Sequence, residues 1–485
     1  MYLSPLSIQF IWHPEDKETV FPIVEYCKQK LSRNPDNSFL HSLDFPIFCY
    51  TSKNDDLPPE INTMAEKTLV FAFVGSSIIA SDEWTEYLSE VEKKYGVKVI
   101  YIALDRTAFN YISPSNAIRY GDYIKKYQDI ELSRRMFVEI SHEIYRWLFC
   151  FKDHKQLKLF ISHAKSDDNG VKLAKELKSF IDSDTKMSNF FDVNDIQNGD
   201  DFDDAIIESI KESTLIIVHS NSYSARFWCQ KEVICAKEND RPIVEVNCID
   251  GIEDRSFPLM CNYPSIRYNN ALEVLEFALM ETVRFQYCDK LMGMYKNNSY
   301  FTNAKTFNRV PDSFMLKDVA EPEIVYPEPE LYADESEKLT DKPMHTPLSF
   351  SKSNISGKRF GISISDSPEE DMARLGQDKS HLKCLAKILA QKIIRNDALL
   401  MYGGDLRPNG FTQFLFEEAK VVSNHSPNEK KILIENYTSW PMQQSDSSEL
   451  KQWTAEHKGG SDKYIIRTAI AVYGWDGRLK ACQTL

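Results

Sequence analysis

The chain has 485 residues, a formal net charge of -14, and 42% hydrophobic and 27% charged residues. This length predicts about two to four domains, and the composition is ordinary for a globular protein. The acidic balance argues against a sequence-independent nucleic-acid surface, because phosphate binding needs clustered lysine and arginine. We therefore expect no direct nucleic-acid binding.

Cysteine usage and the apolar runs bear on the cellular compartment. The ten cysteines are scattered, with no CxxC pair and no histidine cluster at ligand spacing, which indicates reduced thiols and no metal site. The first residues, MYLSPLSIQFIWHPEDKE, lack the basic leader and the apolar run of a signal peptide. No apolar stretch approaches the ~20 residues that span a bilayer. We expect a cytoplasmic protein that does not contact membranes.

Strand and helix patterns alternate along the first 150 residues. Apolar strand patterns occupy residues 8–12, 69–74 and 97–104, and helical patterns occupy residues 19–31 and 130–149. This alternation is typical of α/β folds, in which helices flank a parallel sheet.

The stretch LIIVHSNSYSARFWCQKE, residues 215–232, carries the strongest functional signal. Its apolar start is typical of a strand buried on both faces, and a small, polar loop follows at 220–225. Trp228 and Glu232 then lie one helical turn apart and are predicted to face the same crevice. Open α/β sheets bind ligands at the carboxyl ends of their strands, so this carboxylate beside an indole is a candidate for chemistry at a sugar.

An internal repeat links this region to the first 150 residues. Three anchors recur in the same order: residues 68–71 with 214–217, Trp84 with Trp228, and residues 118–120 with 266–268. Each copy then runs into a long helical pattern. Counted from the tryptophan, Leu88 takes the place of Glu232, so the first copy is predicted to be catalytically degenerate. The alternative is that the two segments are unrelated α/β folds.

The chain beyond residue 296 changes character. Residues 297–357 are rich in proline and acidic residues, which predicts an extended linker. A strand at 360–364 and a helix at 381–394, with Leu385 and Leu389 inward, then begin a third domain over residues 358–485. The next strand, at 398–402, leads into GGDLRPNGFT and another helix. A glycine pair between a strand and a helix N-terminus favours anion binding, because glycine lets backbone N–H groups approach the anion and the helix dipole attracts negative charge.

Three motifs of the second copy resemble the Toll/interleukin receptor (TIR) domain. They are the strand end FISH at residues 160–163, a flexible loop from Asp192 through Gly199 to Phe202, and WCQKE at residues 228–232. The resemblance covers residues 158 to about 268. It implies flavodoxin-like TIR domains in tandem, a degenerate one at residues 1–150 and a catalytic one at 151–296.

The enzymatic branch of that family cleaves NAD+, and the resemblance implies that Glu232 is the catalytic residue. Nicotinamide leaves as a neutral base, so the difficulty lies in the oxocarbenium character of the ribose, which one carboxylate can stabilise. NAD+ is then the substrate, and we expect no cofactor and no metal. The predicted substrate-binding residues are Ser162, His163, Asp192, Phe202, Ser220, Tyr223 and Trp228.

The third domain resembles the SLOG family, which has Rossmann-like folds. ISISDSPEE and LMYGGDLRPNGFT are similar to the branch in bacterial conflict systems that senses nucleotide signals. The resemblance implies a site for an ADP-ribose-like or other nucleotide signal. Its predicted residues are Ser365, Gly403, Gly404, Arg407, Gly410 and Thr412. The expected second glycine-rich unit is missing after residues 440–441, so a shortened or divergent domain is predicted.

Two classes of function remain open from the sequence. The first is an NAD+ glycohydrolase or cyclase in bacterial antiphage defence, regulated by the SLOG-like domain and by homo-oligomerisation through TIR domains. It would release nicotinamide with either ADP-ribose or a cyclic variant. The second is a non-catalytic tandem-TIR scaffold that assembles signalling complexes, in which Glu232 is a solvated residue beside Lys231.

Overall fold

The computed structural model describes residues 4–33, 43–52, 56–149, 157–185, 190–191, 202–260, 262–297, 301–350, 354–363, 369–403, 411, 414–415, 418, 433–439, 464–473 and 479–484. The chain divides into two compact units. The first contains Met1–Arg33, Ser42–Tyr295 and Ala373–Gly376, and the second contains Asn34–His41, Lys296–Met372 and Gln377–Leu485.

The first unit begins with a five-stranded parallel sheet. Its strands are β1 (Leu6–Trp12), β2 (Ile47–Tyr50), β3 (Lys67–Val74), β4 (Val97–Ala103) and β5 (Ala117–Arg119). The helices are α1 (Lys17–Leu31), α2 (Ser76–Ile79), α3 (Asp82–Glu92), α4 (Tyr120–Tyr123) and α5 (Asp129–Phe149). The strand order β2-β1-β3-β4-β5 is that of flavodoxin-like folds.

A second sheet of the same unit repeats this topology. Its strands are β6 (Lys158–His163), β7 (Phe190–Phe191), β8 (Ser213–His219), β9 (Ile243–Asn247) and β10 (Ser265–Arg267). The helices are α6 (Asp168–Asp184), α7 (Phe202–Lys211), α8 (Phe227–Glu238) and α9 (Ala271–Asn297). All pairs are parallel, and the order β7-β6-β8-β9-β10 equals that of the first sheet.

The two sheets share one hydrophobic core. One face of each sheet, together with α1, α5, α6 and α9, contributes to a single cluster of buried side chains. The other faces pack separately, against α3 in the first domain and against α8 in the second. The burial of these strands on both faces explains their uninterrupted apolar runs.

A buried carboxylate joins α9 to the first domain. Glu276 accepts hydrogen bonds from the Tyr26 hydroxyl and from Arg134 Nε, both at 2.7 Å, and Lys30 Nζ lies 2.8 Å away. Arg134 also pairs with Glu273 at 2.8 Å. This network and the shared core join the two domains in one compact unit.

The face of the sheet on which each strand residue lies shows that the predicted residue-by-residue alignment of the two copies is displaced. Leu69 points into the shared core, whereas Leu215, its predicted counterpart, packs on the separate face with α8. A shift of one residue exchanges the faces of a strand, so Leu215 corresponds to Val70. The repeat predicted from the sequence is therefore one residue out of register along this strand.

The helices show the same displacement. The buried side chains of α3 are Trp84, Leu88 and Val91, and those of α8 with the same spacing are Cys229, Val233 and Ala236. Leu88 therefore corresponds to Val233, and Tyr87 is the counterpart of Glu232. Equating Leu88 with Glu232 was wrong, because the two residues lie on different faces of their helices.

The second unit contains two sheets. The smaller one is parallel, with strands β11 (Ala304–Thr306), β12 (Glu323–Val325) and β13 (Met344–His345) and helices α10 (Ser313–Leu316) and α11 (Ala333–Leu339). The larger has strands β14 (Arg359–Ile362), β15 (Leu399–Tyr402), β16 (Ile434–Ser439), β17 (Tyr464–Tyr473) and β18 (Leu479–Thr484), with helices α12 (Glu369–Ala373) and α13 (Lys379–Ile394). Its strands are parallel except for the antiparallel β17–β18 pair, so the sheet continues beyond residue 440.

Residues 297–357 depart from the predicted extended linker. Besides forming the smaller sheet, they pack on the end of α13, where Arg395 pairs with Glu328 at 2.8 Å and Lys392 donates to the Pro347 carbonyl at 2.9 Å. Residues 297–357 thus supply acceptors to the buried Arg395 and to the partly buried Lys392, which composition alone does not reveal. On α13 itself, Leu385 and Leu389 are 53% and 46% exposed, contrary to prediction. The buried face instead carries Lys387 and Gln391, and Gln391 donates to the buried Glu418.

Candidate functional site

A buried chain of three side chains lies at the carboxyl end of β6. Glu232, on the second turn of α8, is 5% exposed. Ser162, the last residue but one of β6, donates a hydrogen bond from Oγ to Glu232 Oε2. The Tyr223 hydroxyl lies 2.5 Å from Ser162 Oγ. We call Tyr223, Ser162 and Glu232 the hydroxyl relay.

Burial determines the proton positions in the hydroxyl relay. It raises the pKa of Tyr223 well above its usual value, and the nearby Cys229 and Glu232 raise it further. Tyr223 therefore keeps its proton and can donate it to Ser162, which in turn donates to the carboxylate. The hydrogen bond from Tyr223 thus polarises the Ser162 hydroxyl toward the Glu232 carboxylate.

Cys229 has the features of a core residue. Its Sγ contacts the His163 carbonyl oxygen at 3.7 Å, and it belongs to the hydrophobic cluster under α8. Burial raises the pKa of the Cys229 thiol to about 12, with the Glu232 carboxylate adding to the effect. The thiolate is therefore scarce at neutral pH, which excludes Cys229 as a nucleophile.

The loop between β8 and α8 lies against the start of α6. Asp167 caps α6 by accepting from the amides of Asn169 and Gly170, at 3.1 and 3.2 Å. A Cβ on Gly170 would lie 3.0 Å from Ser220 Oγ, so the absence of a side chain there allows this close approach. The contact places the buried Ser220 beside the N-terminus of a helix of 17 residues.

Trp228 lies outside the buried core. It is half-buried at the start of α8, and Lys231 Nζ lies 4.8 Å from its ring centroid and 5.0 Å from that of the exposed Phe227. Trp228 and Phe227 make an edge-to-face contact at 5.7 Å. These aromatic rings can offer stacking surface to a planar ligand near Glu232.

The structure brings together only part of the predicted site. Ser162, Tyr223 and Glu232 are in contact, His163 touches Cys229 through its carbonyl, and Ser220 and Trp228 lie on the adjoining loop and helix. Phe202 begins α7, but Asp192 and the Phe202 side chain lie outside the described residues.

Of the residues predicted to bind a nucleotide signal, the structure describes Gly403, which is exposed just after β15 in the larger sheet of the second unit. Ser365, Gly404, Arg407, Gly410 and Thr412 lie outside the described residues.

Sequence analysis missed one polar cluster next to this site. His219, the last residue of β8, lies between Glu245 and Glu253, with Ser224 beside it. None of these residues belongs to the motifs that predicted the site. The available signal was Glu245, a charged residue within the otherwise apolar strand IVEVN. Because charges are rarely buried without a partner, such a residue predicts a buried pair.

Comparisons with known families identify two parts of the chain. Residues 159–268 match the TIR domain family, and residues 354–472 match the family described as SLOG cluster2. The chain contains a TIR domain and a SLOG domain. No curated protein matches it. One solved structure, the C-terminal domain of glucosamine-fructose-6-phosphate aminotransferase from Francisella tularensis, is similar at 10% identity over 60% of this chain and 85% of that chain. Its TM-score is 0.15, so it carries no structural argument.

The matched ranges coincide with elements of the fold. The TIR domain extends from β6 to just past β10 and contains the whole hydroxyl relay. The SLOG domain extends from just before β14 to the penultimate residue of β17. The predicted α/β architecture is therefore confirmed. Within the described residues, every helix is too short or too polar to cross a bilayer, and no group of three or more His, Cys, Asp or Glu side chains is suited to a metal ion.

Proposed function

We propose that the TIR domain is an NAD+ glycohydrolase or cyclase in which Glu232 is the catalytic carboxylate. The observation that carries the proposal is the hydroxyl relay, in which Tyr223 bonds to Ser162 and Ser162 donates to the buried Glu232, at the edge where open α/β sheets bind ligands. A carboxylate that accepts a hydrogen bond in a poorly solvated position is suited to offset the charge of an oxocarbenium ion. The resemblance of the WCQKE motif to enzymatic TIR domains supports the same residue.

In this proposal Glu232 stabilises the ribose as the bond to nicotinamide breaks. The electron pair of that C–N bond leaves with nicotinamide, which departs as a neutral base, so no general acid is needed. Positive charge develops on the ribose, and the fixed carboxylate offsets it. Attack by water, with loss of one proton to the surroundings, then gives ADP-ribose. Attack by a group within the nucleotide, with the same loss of a proton, gives a cyclic variant. Ser162 and Tyr223 keep the carboxylate oriented throughout.

The test is nicotinamide release from NAD+ by the purified full chain. Glu232→Gln preserves shape and removes the charge, so kcat should fall at least about 100-fold while Tm stays close to wild type. Glu238→Gln is a matched control, because Glu238 lies on the same helix but is exposed at its end. Wild-type turnover by Glu232→Gln would overturn the assignment.

We further propose that assembly and a nucleotide ligand regulate this activity. In this proposal a neighbouring copy contacts the acidic segment at residues 192–202, and the glycine pair Gly403-Gly404 binds an ADP-ribose-like signal. Activity per molecule should then rise with protein concentration, together with larger species in light scattering. A rate per molecule that is constant on dilution would exclude assembly.

The ligand proposal is tested by titration calorimetry of the full chain with ADP-ribose, in which Arg407→Ala should weaken binding.

For biological context, we propose a role in bacterial antiphage defence. Cells expressing the wild-type chain should restrict phage plating and lose cellular NAD+ on infection, and cells expressing the Glu232→Gln variant should do neither. Equal protection by both chains would separate defence from NAD+ cleavage.

One observation favours the second candidate function, a non-catalytic scaffold. Glu232 is only 5% exposed, so it is not the solvated residue that the sequence left open for this candidate, but a carboxylate so enclosed can serve packing alone. In that case Glu232→Gln would alter stability or self-association, while the wild-type chain would release no nicotinamide at any concentration.

A further inference from the structure

The missed polar cluster forms a closed network at the end of β8. Glu245 Oε1 lies 2.6 Å from His219 Nδ1, and Glu253 Oε1 lies 2.8 Å from His219 Nε2. Ser224 Oγ donates to Glu253 and lies 3.2 Å from Nε2. Both ring nitrogens thus face carboxylate oxygens, and each needs a proton to bond there. We call His219, Ser224, Glu245 and Glu253 the histidine clamp.

The same geometry could suggest a serine nucleophile activated by His219 and Glu245. Two features argue against it. Ser224 is 1% exposed, so no substrate reaches its oxygen. Its proton is directed to Glu253, and the imidazole nitrogen that would act as a base faces that same carboxylate. The cluster lacks an accessible nucleophile and a free base, so its role is structural or positional.

The histidine clamp spans two chain segments that flank the TIR site. His219 ends β8 and Ser224 lies within the loop at residues 220–226, while Glu253 belongs to the segment after β9. Asn221 ties the same two segments: its side chain donates to the Asp250 carbonyl at 2.6 Å and accepts from the Asp250 amide at 2.8 Å. The Asn221 carbonyl also accepts from the Asp254 amide at 2.8 Å. The loop is therefore fixed from one side by the residues after β9.

The hydroxyl relay depends on this loop for its first member. Tyr223 immediately precedes Ser224, and its ring packs edge-on against the His219 ring at 5.9 Å. The same tyrosine reaches Ser162 through its hydroxyl. Any movement of the loop would therefore move the Tyr223 hydroxyl away from Ser162.

We propose that His219 is a positioning residue for the TIR site, because its double bridge to Glu245 and Glu253 holds Tyr223 against Ser162. This inference rests on the proposed function, since the oriented group is the hydroxyl relay that ends at Glu232. His219 touches no part of the relay except the Tyr223 ring, so it acts through the loop and does not contact the reacting atoms.

The clamp has a defined response to pH. The titratable groups that face its members are Glu245 on β9, Cys248 and Glu253 after β9, and Tyr223 on the loop. Burial lowers the pKa of His219, but the bonds to Glu245 and Glu253 outweigh it and raise the pKa above its usual value. Burial raises the pKa of Cys248 to about 11, so this thiol stays neutral near pH 7. The double bridge is thus intact below the raised pKa of His219 and is lost as the pH rises through it.

The kinetic test compares full-chain variants over about pH 6 to 9. For the wild type, kcat for nicotinamide release should fall on the alkaline side as His219 deprotonates. Glu253→Gln removes one carboxylate, so that fall should move to lower pH by about half a unit or more. His219→Gln should have a low kcat without this alkaline fall, and the exposed Glu238→Gln should match the wild type. An unchanged pH profile in Glu253→Gln would overturn the proposal.

A second measurement needs neither a variant nor catalysis. Hydrogen exchange of the peptide covering residues 220–226, corrected for the intrinsic pH dependence, should become faster in the wild type as the pH rises through the same range. Protection independent of pH would overturn the clamp even if NAD+ is cleaved. Faster exchange in a chain that releases no nicotinamide would support the clamp and overturn only the proposed function.

Discussion

The two domains of the first unit have the same sheet order but different chemistry at the corresponding strand ends. In the TIR domain, Ser162 contacts Glu232 and Tyr223. In the revised alignment Ile217 corresponds to Ala72. Because Ser162 pairs with Ile217 and Ile11 pairs with Ala72, the counterpart of Ser162 in the N-terminal domain is the fully buried Ile11. At the counterpart of Glu232, Tyr87 packs edge-on against Trp84, with ring centroids 6.2 Å apart. Apolar and aromatic side chains occupy the place of the hydroxyl relay.

This difference shows that the fold and the site place different requirements on the sequence. Apolar strands and amphipathic helices suffice to build either domain, whereas the relay needs a serine, a tyrosine and a glutamate at three particular positions. The N-terminal domain keeps the scaffold and shares a core with the TIR domain. We infer that it supports the TIR domain through packing, and the predictions below test that division of roles.

The largest expected effect comes from placing a charge on the buried face of α3. Leu88 is fully buried, so Leu88→Glu should lower the free energy of unfolding by about 4 kcal/mol or more. Tyr87→Glu is the matched control, because Tyr87 is half-buried and loses only packing and a 3.0 Å hydrogen bond to the Pro59 carbonyl, about 1–2 kcal/mol. Denaturant unfolding measures both, and equal losses would contradict the revised alignment of α3 with α8.

A second prediction concerns the carboxylate that joins the two domains. Glu276→Gln leaves Arg134 and Lys30 without their buried countercharge, so the free energy of unfolding should fall by about 3 kcal/mol. Glu273→Gln is the control: it removes one partly exposed bridge to Arg134 and should cost below about 1 kcal/mol. Calorimetry should show one cooperative transition for the first unit. Two separate transitions in the wild type would contradict the shared core.

The strands and helices of the first unit were predictable where the apolar signal is unbroken. Residues 8–12, 69–74 and 130–149 all fall within the elements β1, β3 and α5. The repeat was also visible, but its alignment was displaced by one residue. In strands buried on both faces, Leu69 and Val70 are equally apolar, so the sequence carries no alternation that would set the faces.

The site was predictable only in part because its contacts are distant along the chain. The motif WCQKE identified Glu232, yet its hydrogen bond to Ser162 spans 70 residues, and the bridge from His219 to Glu253 spans 34. Local patterns do not specify such pairings, which depend on the strand order. The acidic run at 297–357 shows the same limit, since Glu328 finds its partner Arg395 67 residues later.

A third prediction weakens the hydroxyl relay without removing its carboxylate. Tyr223→Phe retains the ring in the core and deletes the hydroxyl that donates to Ser162. One lost hydrogen bond to a polarised group corresponds to about 1–1.5 kcal/mol, so kcat for nicotinamide release should fall about 10-fold, with KM changed little. Tyr26→Phe, which deletes a hydroxyl bonded to Glu276 in the domain interface, is the control and should leave kcat unchanged. A larger rise in KM than fall in kcat would assign Tyr223 to substrate binding.

The smallest expected effect tests whether a carboxylate alone can turn the N-terminal domain into a second site. Tyr87→Glu places a glutamate at the counterpart of Glu232, but Ile11 and Trp84 remain where Ser162 and Cys229 lie in the TIR domain. Without a serine hydroxyl to orient it, the new carboxylate would rotate toward solvent. Nicotinamide release by the full chain should therefore stay within about twofold of wild type, and Tyr87→Glu should not restore activity to the Glu232→Gln chain. Recovery of turnover in that double variant would mean that the fold and one carboxylate suffice, and that the hydroxyl relay contributes nothing to catalysis.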